Sequence, residues 1–438
     1  MHSDLKDRAC QTLEMAIEAG AQDAVANVGE HTDVVFAYRD GKLEKVQQST
    51  TRGLSLQLFV DGRYSTHSTT DLRPEQMHGF IGNAVALTRH LQPDPHRVIP
   101  DPALYAGRMD VDLEMDDPTV RDLPRDVCLE WLGKMDEATH ADARVISATS
   151  EVHYGWSASA QVSSNGFEGT RTGTGIGYGS GVTLDEGDGR RPEGHRFVYG
   201  RRLEMLPDAV AIAQEGLQRA VERLGSRKMP SARTVMVVHP EAGGGLLRHL
   251  VGALSAGAIQ QNRSFLADRR EQQIASEWFT VADDPLLPRG LGSQLYDGEG
   301  IAARPMSIVE GGVLRNYYVD TYYGRKLGWQ PTTGGASNLV FAPGDRGLED
   351  LIADAGEGFF VTGWLGGNAD ATTGDFSFGF RGRRIENGRK GGPVSEMNIT
   401  GNYLDLLRNL TAVGDDPNPW SSFRTPTLVF RDVEFSGE

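Results

Sequence analysis

The chain has 438 residues, too many for one compact core, so two domains are expected, over 1–228 and 229–438. Its 44 basic and 60 acidic side chains leave a formal charge of −16, which repels phosphate backbones and argues against sequence-independent nucleic-acid binding. No window approaches the ~20 apolar residues that span a bilayer. The charged start, MHSDLKDRACQTLEMAIEAG, has no apolar signal-peptide run, so a cytoplasmic protein without a membrane partner is expected.

The first half alternates helices and hairpins. Leu5, Ala9, Leu13, Ala16 and Ile17 fall at helical spacing over residues 4–19. Strand patterns follow at 33–40, 42–51 and 53–70, with Asp40-Gly41 and Asp61-Gly62 supplying hairpin turns. Helix returns over 73–91, opened by Pro74. A Pro- and Asp-rich connector, 92–118, leads to another helix over 119–139. Residues 143–185 are alternating segments joined at Asn165-Gly166 and other glycines, and 206–225 is an amphipathic helix. Helices with hairpins, and no regular strand–helix–strand crossover, predict an α+β fold rather than a doubly wound sheet.

The second half changes character after Met229-Pro230. An apolar strand, a Pro/Gly turn and a helix over 243–261 come first; beyond them, short β runs and glycine dominate. The 54 glycines exceed the average usage of about 7% and permit bulges, tight turns and close backbone approach. A β-rich, glycine-rich C-terminal domain with a curved antiparallel sheet and long loops is expected.

Several clusters carry possible chemistry. Gly243-Gly244-Gly245 lacks the Lys-Ser/Thr of a phosphate loop, so it reads as a tightly packed strand–helix turn. Among 11 histidines there is no HxH, HExxH or His-x3-His pair. His239, Glu241 and His249 are the set weighed as a substitute metal site; the ordinary alternative is a histidine satisfied by a hydrogen bond. Asp297 and Glu299 flank Gly298, which favours a fold-shaping turn over a carboxylate pair. In TTGDFSFGF (372–380), Phe376, Phe378 and Phe380 share one strand face, while Gly374, Asp375 and Ser377 are candidates for lining a peptide groove. Arg381, Arg383, Arg384, Arg389 and Lys390 read as a solvated hairpin rim rather than a phosphate or carboxylate site. No Gly-x-Ser-x-Gly elbow is present. Cys10 and Cys128 lie in helical segments and form no disulfide framework; at most they are a buried pair of thiols.

Taken in order, VMVVHPEAGGGLLRHLVGALSAG (235–257), QQIASEWFTVADDP (272–285), LYDGEGIAARPMSIVEGGVLRNYYVD (295–320), TGDFSFG, RIENG and ITGNYLDLLRNLTAVGDD resemble the TldD/TldE (PmbA) peptidase family. TldD-type members of that family carry an HExxxH zinc motif on the helix after the first strand. Here Arg248 stands at the first histidine, His249 at the glutamate and Ala253 at the second histidine. A guanidinium cannot be deprotonated and a methyl group has no lone pair, so neither ligates zinc. The family's C-terminal cysteine ligand is missing too, since the last third of the chain has no cysteine.

The resemblance therefore implies a TldE (PmbA)-type, non-catalytic subunit with no cofactor of its own. Its partner would be a TldD-type zinc metallopeptidase chain, and the pair would degrade unfolded peptides or trim leader peptides. Substrates would bind as extended strands. A metal-free homodimeric peptide-binding scaffold, or an independent hydrolase built on His239, Glu241 and His249, are the alternatives. The family's association with DNA gyrase gains nothing from the charge.

Overall fold

The computed structural model describes residues 2–438. The first half contains helices α1 (His2–Glu18), α2 (Pro74–Thr88), α3 (Pro118–Arg121), α4 (Arg125–Thr139) and α5 (Ala209–Val221). Its strands are β1 (Asp23–Arg39), β2 (Lys42–Val60), β3 (Arg63–Thr69), β4 (Val145–Ser163), β5 (Glu168–Leu184) and β6 (Glu193–Gly200). They form one antiparallel sheet in the order β3-β2-β1-β4-β5-β6.

Alternation along the long strands decides which face is covered. Val28, Leu54, Leu56 and Leu58 bury against α1 and α2 at one end of the sheet. Val34, Phe36, Val152, Tyr154 and Ile176 bury against α4 and α5 at the other. Cys10 borders the first of these cores and Cys128 sits inside the second, so the two thiols do not pair. Burial pushes the Cys128 thiol up to about 11.

The opposite face of β5 is a stripe of alternating glycines. A Cβ on Gly175 or Gly177 would collide with the Tyr199 ring, and one on Gly179 with Phe197. Both rings come from β6 and lie flat on the bare backbone, which replaces the missing side chains as cover.

Three expected boundaries shift for identifiable reasons. The strand expected at 33–40 begins at Asp23, and β2 runs unbroken through Gly53 because Gly29 pairs opposite it. The helix expected over 119–139 is split at Pro124, whose ring forbids a helical residue before it.

In the second half, helices α6 (Pro240–Ala253), α7 (Ala256–Gln260), α8 (Thr321–Leu327), α9 (Leu348–Ala355) and α10 (Tyr403–Arg408) accompany two sheets. The helix expected over 243–261 starts earlier and breaks at Ser255, which caps α7. The smaller sheet orders β10 (Val313–Leu314), β9 (Met306–Glu310), β8 (Val281–Asp283), β11 (Leu339–Phe341) and β16 (Phe423–Arg424). The larger orders β14 (Arg389–Asn402), β13 (Asp375–Glu386), β12 (Gly358–Ala369), β7 (Ala232–Val238), β17 (Leu428–Ser436) and β15 (Leu410–Val413).

An additional β14–β17 pairing curls the larger sheet back on itself into a ring of five strands. The expected curvature thus becomes closure. One pair inside the ring, β7–β12, is parallel, because the chain between them crosses over through α6 and the smaller sheet. Phe359, Phe380 and Phe435 meet in the core with ring centroids 4.5–5.9 Å apart. The whole is α+β.

The halves are joined by polar contacts. Arg171 donates to the Asp297 carbonyl at 3.0 Å, Arg289 pairs with Glu114 at 2.6 Å, and Arg97 stacks 3.5 Å over Tyr322. Replacing Gly177 with alanine should destabilise the chain by about 1–3 kcal/mol, because the new methyl meets a backbone carbonyl and two rings together. A urea unfolding curve with unchanged midpoint would show that Tyr199 and Phe197 are free to lift away.

Candidate functional site

The β7–α6 unit organises the region that the sequence singled out. β7 ends in the buried run Met236–Val238, and His239 follows it in extended conformation as the N-cap of α6. The His239 Nδ1 accepts the Glu241 N–H at 3.2 Å, so the ring proton sits on Nε2. Pro240 at the first helical position and Glu241 in the first turn suit a helix start.

The three glycines that follow cost helix propensity, about 1 kcal/mol each. They are required by packing: Cβ atoms there would strike Thr425 and Trp364 and crowd Phe423. The Trp364 indole N–H donates to the Ala242 carbonyl at 2.8 Å across this contact.

Further along α6, Arg248 is exposed. His249 is half-buried and stacks on Phe378 at 5.4 Å, with Tyr403 beyond it at 6.3 Å. Burial, and then the Arg248 charge, lower its pKa, so the imidazole is neutral near pH 7. Ala253 is fully buried in the main core of this half.

His239 and His249 do not meet. They are separated by roughly 15 Å of helix, at 1.5 Å per residue. Glu241 is turned instead toward the first half, where Arg196 of β6 (2.6 Å) and Arg219 of α5 (2.8 Å) hold it. Burial alone would raise the Glu241 carboxyl. The hydrogen bonds and charge of Arg219, with the charge of Arg196, overcome that and hold it down to about 2. The three residues expected as a substitute metal set are therefore dispersed. Among the described residues no three His, Cys, Asp or Glu side chains come together as a metal cage.

The acidic loops are structural. The Asp297 carboxylate accepts the backbone N–H groups of Glu299, Ile301 and Gly334 and the Thr333 hydroxyl, at 2.9–3.1 Å. Glu299 accepts both the amide and the hydroxyl of Thr321 at 2.8 Å. Buried Asp283 accepts the Ser337 N–H at 3.0 Å, and burial raises its pKa. It borders a cavity of about 300 Å³ between the halves, also lined by Leu104, Ile301 and Met306, which the sequence reading did not foresee.

In the glycine-rich hairpin, Phe376, Phe378 and Phe380 are buried on one face while Asp375 and Ser377 are exposed on the other. Asp375 accepts from Asn402 Nδ2 (2.9 Å) and the Thr373 hydroxyl (2.8 Å), which lower its pKa in that order. Gly374 is buried at φ +84°, and its Cα faces the Phe265 ring. The exposed face continues into Asn368, Thr400 and Asn402 as a polar strip.

The basic cluster is split. Arg384 pairs outward with Glu386 at 3.0 Å, as a rim residue does. Arg381, Arg383 and Lys390 instead line a cavity of about 210 Å³ with Arg219 of α5 and Arg223 in the turn that follows it. The rim reading fails for these three because β13 and β14 bring them against a helix from the other half. The missed signal was Arg219 and Arg223, four residues apart at the end of the segment expected as a helix over 206–225 and judged only for its apolar side.

Comparison with known proteins extends this geometry over the whole chain. Residues 23–88, 118–224 and 231–437 match the profiles described as PmbA/TldA metallopeptidase domain 1, central domain and C-terminal domain. A solved Bacteroides thetaiotaomicron structure, described as a candidate modulator of DNA gyrase, is 38% identical, with a TM-score of 0.96 and 99% of each chain covered. The chain belongs to the PmbA/TldD metallopeptidase family. Metalloprotease PmbA of Escherichia coli O157:H7 is 28% identical over 99% of this chain and 96% of its own. TldE from Thermococcus kodakarensis shares the fold at TM-score 0.87 and 20% identity, covering 98% of this chain and 100% of that one.

Membership in the PmbA/TldD family implies zinc, and the donors present do not fit it. Arg248 is a cation in solvent, His249 is stacked on the Phe378 ring, and Ala253 is sealed in the core. Writing the motif back as Arg248→His, His249→Glu and Ala253→His should not create a stoichiometric zinc site. The imidazole at 253 should itself cost about 1–3 kcal/mol by overpacking. Metal analysis after dialysis, with a melting curve, checks both.

A second expectation follows from Glu241, which is three-quarters buried. Its depressed pKa contributes stability that is present above about pH 4.5 and lost as pH falls toward about 2. Glu241→Gln should cost about 2–3 kcal/mol at neutral pH, less than a wholly orphaned buried pair because Glu215 still contacts both arginines. The variant should also show a flatter acid limb in denaturation.

Proposed function

We propose that this chain is the metal-free, TldE-type subunit of a two-chain zinc peptidase. The observation that carries the reading is the window on α6. Where a TldD-type helix presents HExxxH, this one presents an exposed guanidinium at Arg248, a neutral stacked imidazole at His249 and a buried methyl at Ala253. The side chains serve packing, and the zinc belongs to a TldD-type partner.

In this role the chain completes the assembly and holds unfolded or precursor peptide while the partner cleaves it. The exposed side chains of Asp375 and Ser377, shaped by buried Gly374 at the turn and flanked by Asn368, Thr400 and Asn402, offer polar contacts to an extended peptide; β13 is paired on both edges, so those contacts come from side chains rather than from an added strand. The charge of −16 speaks against DNA itself as the ligand. No helix among the described residues is long and apolar enough to cross a membrane, which is compatible with the cytoplasmic location we assign.

The test is metal content and peptidase activity of the purified chain, alone and mixed with a TldD-type chain. Zinc and cleavage should appear only in the mixture, with one copy of each chain in the complex. Tightly bound metal and cleavage by the isolated chain, at a rate comparable to the mixture, would overturn the proposal. A homodimer unaltered by the TldD-type chain would support the scaffold alternative instead.

A further inference from the structure

The cavity between α5 and the β12–β13–β14 hairpins holds more positive charge than the fold uses. Arg219 is satisfied by Glu241 and Glu215. Lys390 pairs with Glu349 at 2.5 Å, and Arg383 donates to the Gly391 carbonyl at 2.9 Å with Glu222 at 4.0 Å. Among the described residues, Arg223 and Arg381 have no carboxylate within ion-pair distance, Arg223 reaches the backbone carbonyl of Glu193, and the buried Nε of Arg381 has no hydrogen-bond partner.

A half-buried guanidinium without an acceptor is costly, so its retention in one place needs a reason. Arg381 is also held there by shape. A Cβ on Gly363 would come within 2.8 Å of its Nε, so the glycine on the neighbouring strand leaves the slot in which the guanidinium lies. Burial, with the mutual repulsion of Arg381 and Arg219, pulls the Arg223 pKa down to about 10. That marks a local excess of positive charge in a chain of net −16.

The rest of the lining narrows the ligand. Phe360 and Leu348 supply an apolar wall beside neutral His239 and Thr362; the two carboxylates that also line the cavity, Glu215 and Glu222, are turned to Arg196 and Arg219 and to Arg383. A bare tetrahedral anion would use the cations and leave that wall wet. We propose that this cavity binds an organic carboxylate on an apolar stem, with the charged end between Arg223 and Arg381 and the stem against Phe360 and Leu348. The space, about 210 Å³, suits one terminal residue rather than a folded partner. Bidentate donation by guanidinium to carboxylate gives the directionality. The assignment stands independently of the subunit role proposed above, since neither metal nor a second chain takes part.

Calorimetric titration of the full-length chain at low ionic strength tests it with three probes. These are N-acetyl-leucine, its neutral amide and inorganic phosphate. N-acetyl-leucine should bind, the amide should not, and phosphate should bind about tenfold or more weakly than the carboxylate. Arg381→Gln and Arg223→Gln should each weaken N-acetyl-leucine by about tenfold or more, the worth of a charge-assisted hydrogen bond. Their unliganded melting temperatures should be unchanged or higher, because an uncompensated charge is removed. Equal binding of acid and amide, phosphate binding as tight as the carboxylate, or no binding of any probe would overturn the proposal. So would a sharp fall in melting temperature for both variants, which would mark the arginines as structural.

Discussion

The structure turns on one carboxylate. Glu241 opens α6 in the second half, yet its partners, Arg196 and Arg219, belong to the sheet and helix of the first. That shared ion cluster fixes where α6 begins, and the helical rise then dictates where everything on it falls. Leu250 and Ala253 are carried away from the joint and into the core of the second half, while Arg248 stays in solvent. His239 and Glu241 stay behind at the interface, one as a cap and the other as a tie between halves. A metal site that drew on both ends of this helix is excluded by its length.

What the sequence made legible was whatever repeats locally. The alternation of Phe376, Phe378 and Phe380 gave a correct strand face, and Asp40-Gly41 and Asp61-Gly62 marked real hairpin turns. The Gly243–Gly245 run was legible as close packing, although the partners Thr425, Phe423 and Trp364 were not. Long-range facts left no local trace. Nothing near Asp23 announces that its strand runs ten residues beyond the alternating stretch, because the pairing with both β2 and β4 supplies the stability. Closure of the ring through β14 and β17 depends on contacts such as Ile399 with Phe435, which no window of periodicity contains.

The site was legible to a similar extent. The chemistry of Arg248 and Ala253 as non-ligands could be read from residue type alone, since it rests on lone pairs. The fate of Glu241 could not, because its two arginines lie 45 and 22 residues away in sequence. The basic run at 381–390 looked solvated for the same reason. Its glycines hide the fact that the strand presses three of its cations against α5, and only there does the surplus of charge become visible.

These arrangements bear on what holds α6 in place. In a helix that ligates zinc, inward positions must keep polar donors, which a tightly packed interior accepts only when the ion satisfies them. Here the inward positions of α6 are Leu246, Leu247, Leu250 and Ala253, all part of the main core. Tyr403 lies buried beside them and donates its hydroxyl to the Leu246 carbonyl at 2.8 Å. His249 keeps its ring by stacking rather than by ligation, and its lowered pKa suits that apolar contact. Along the length of α6 its stability thus rests on burial, and at its start on the Glu241 ion cluster.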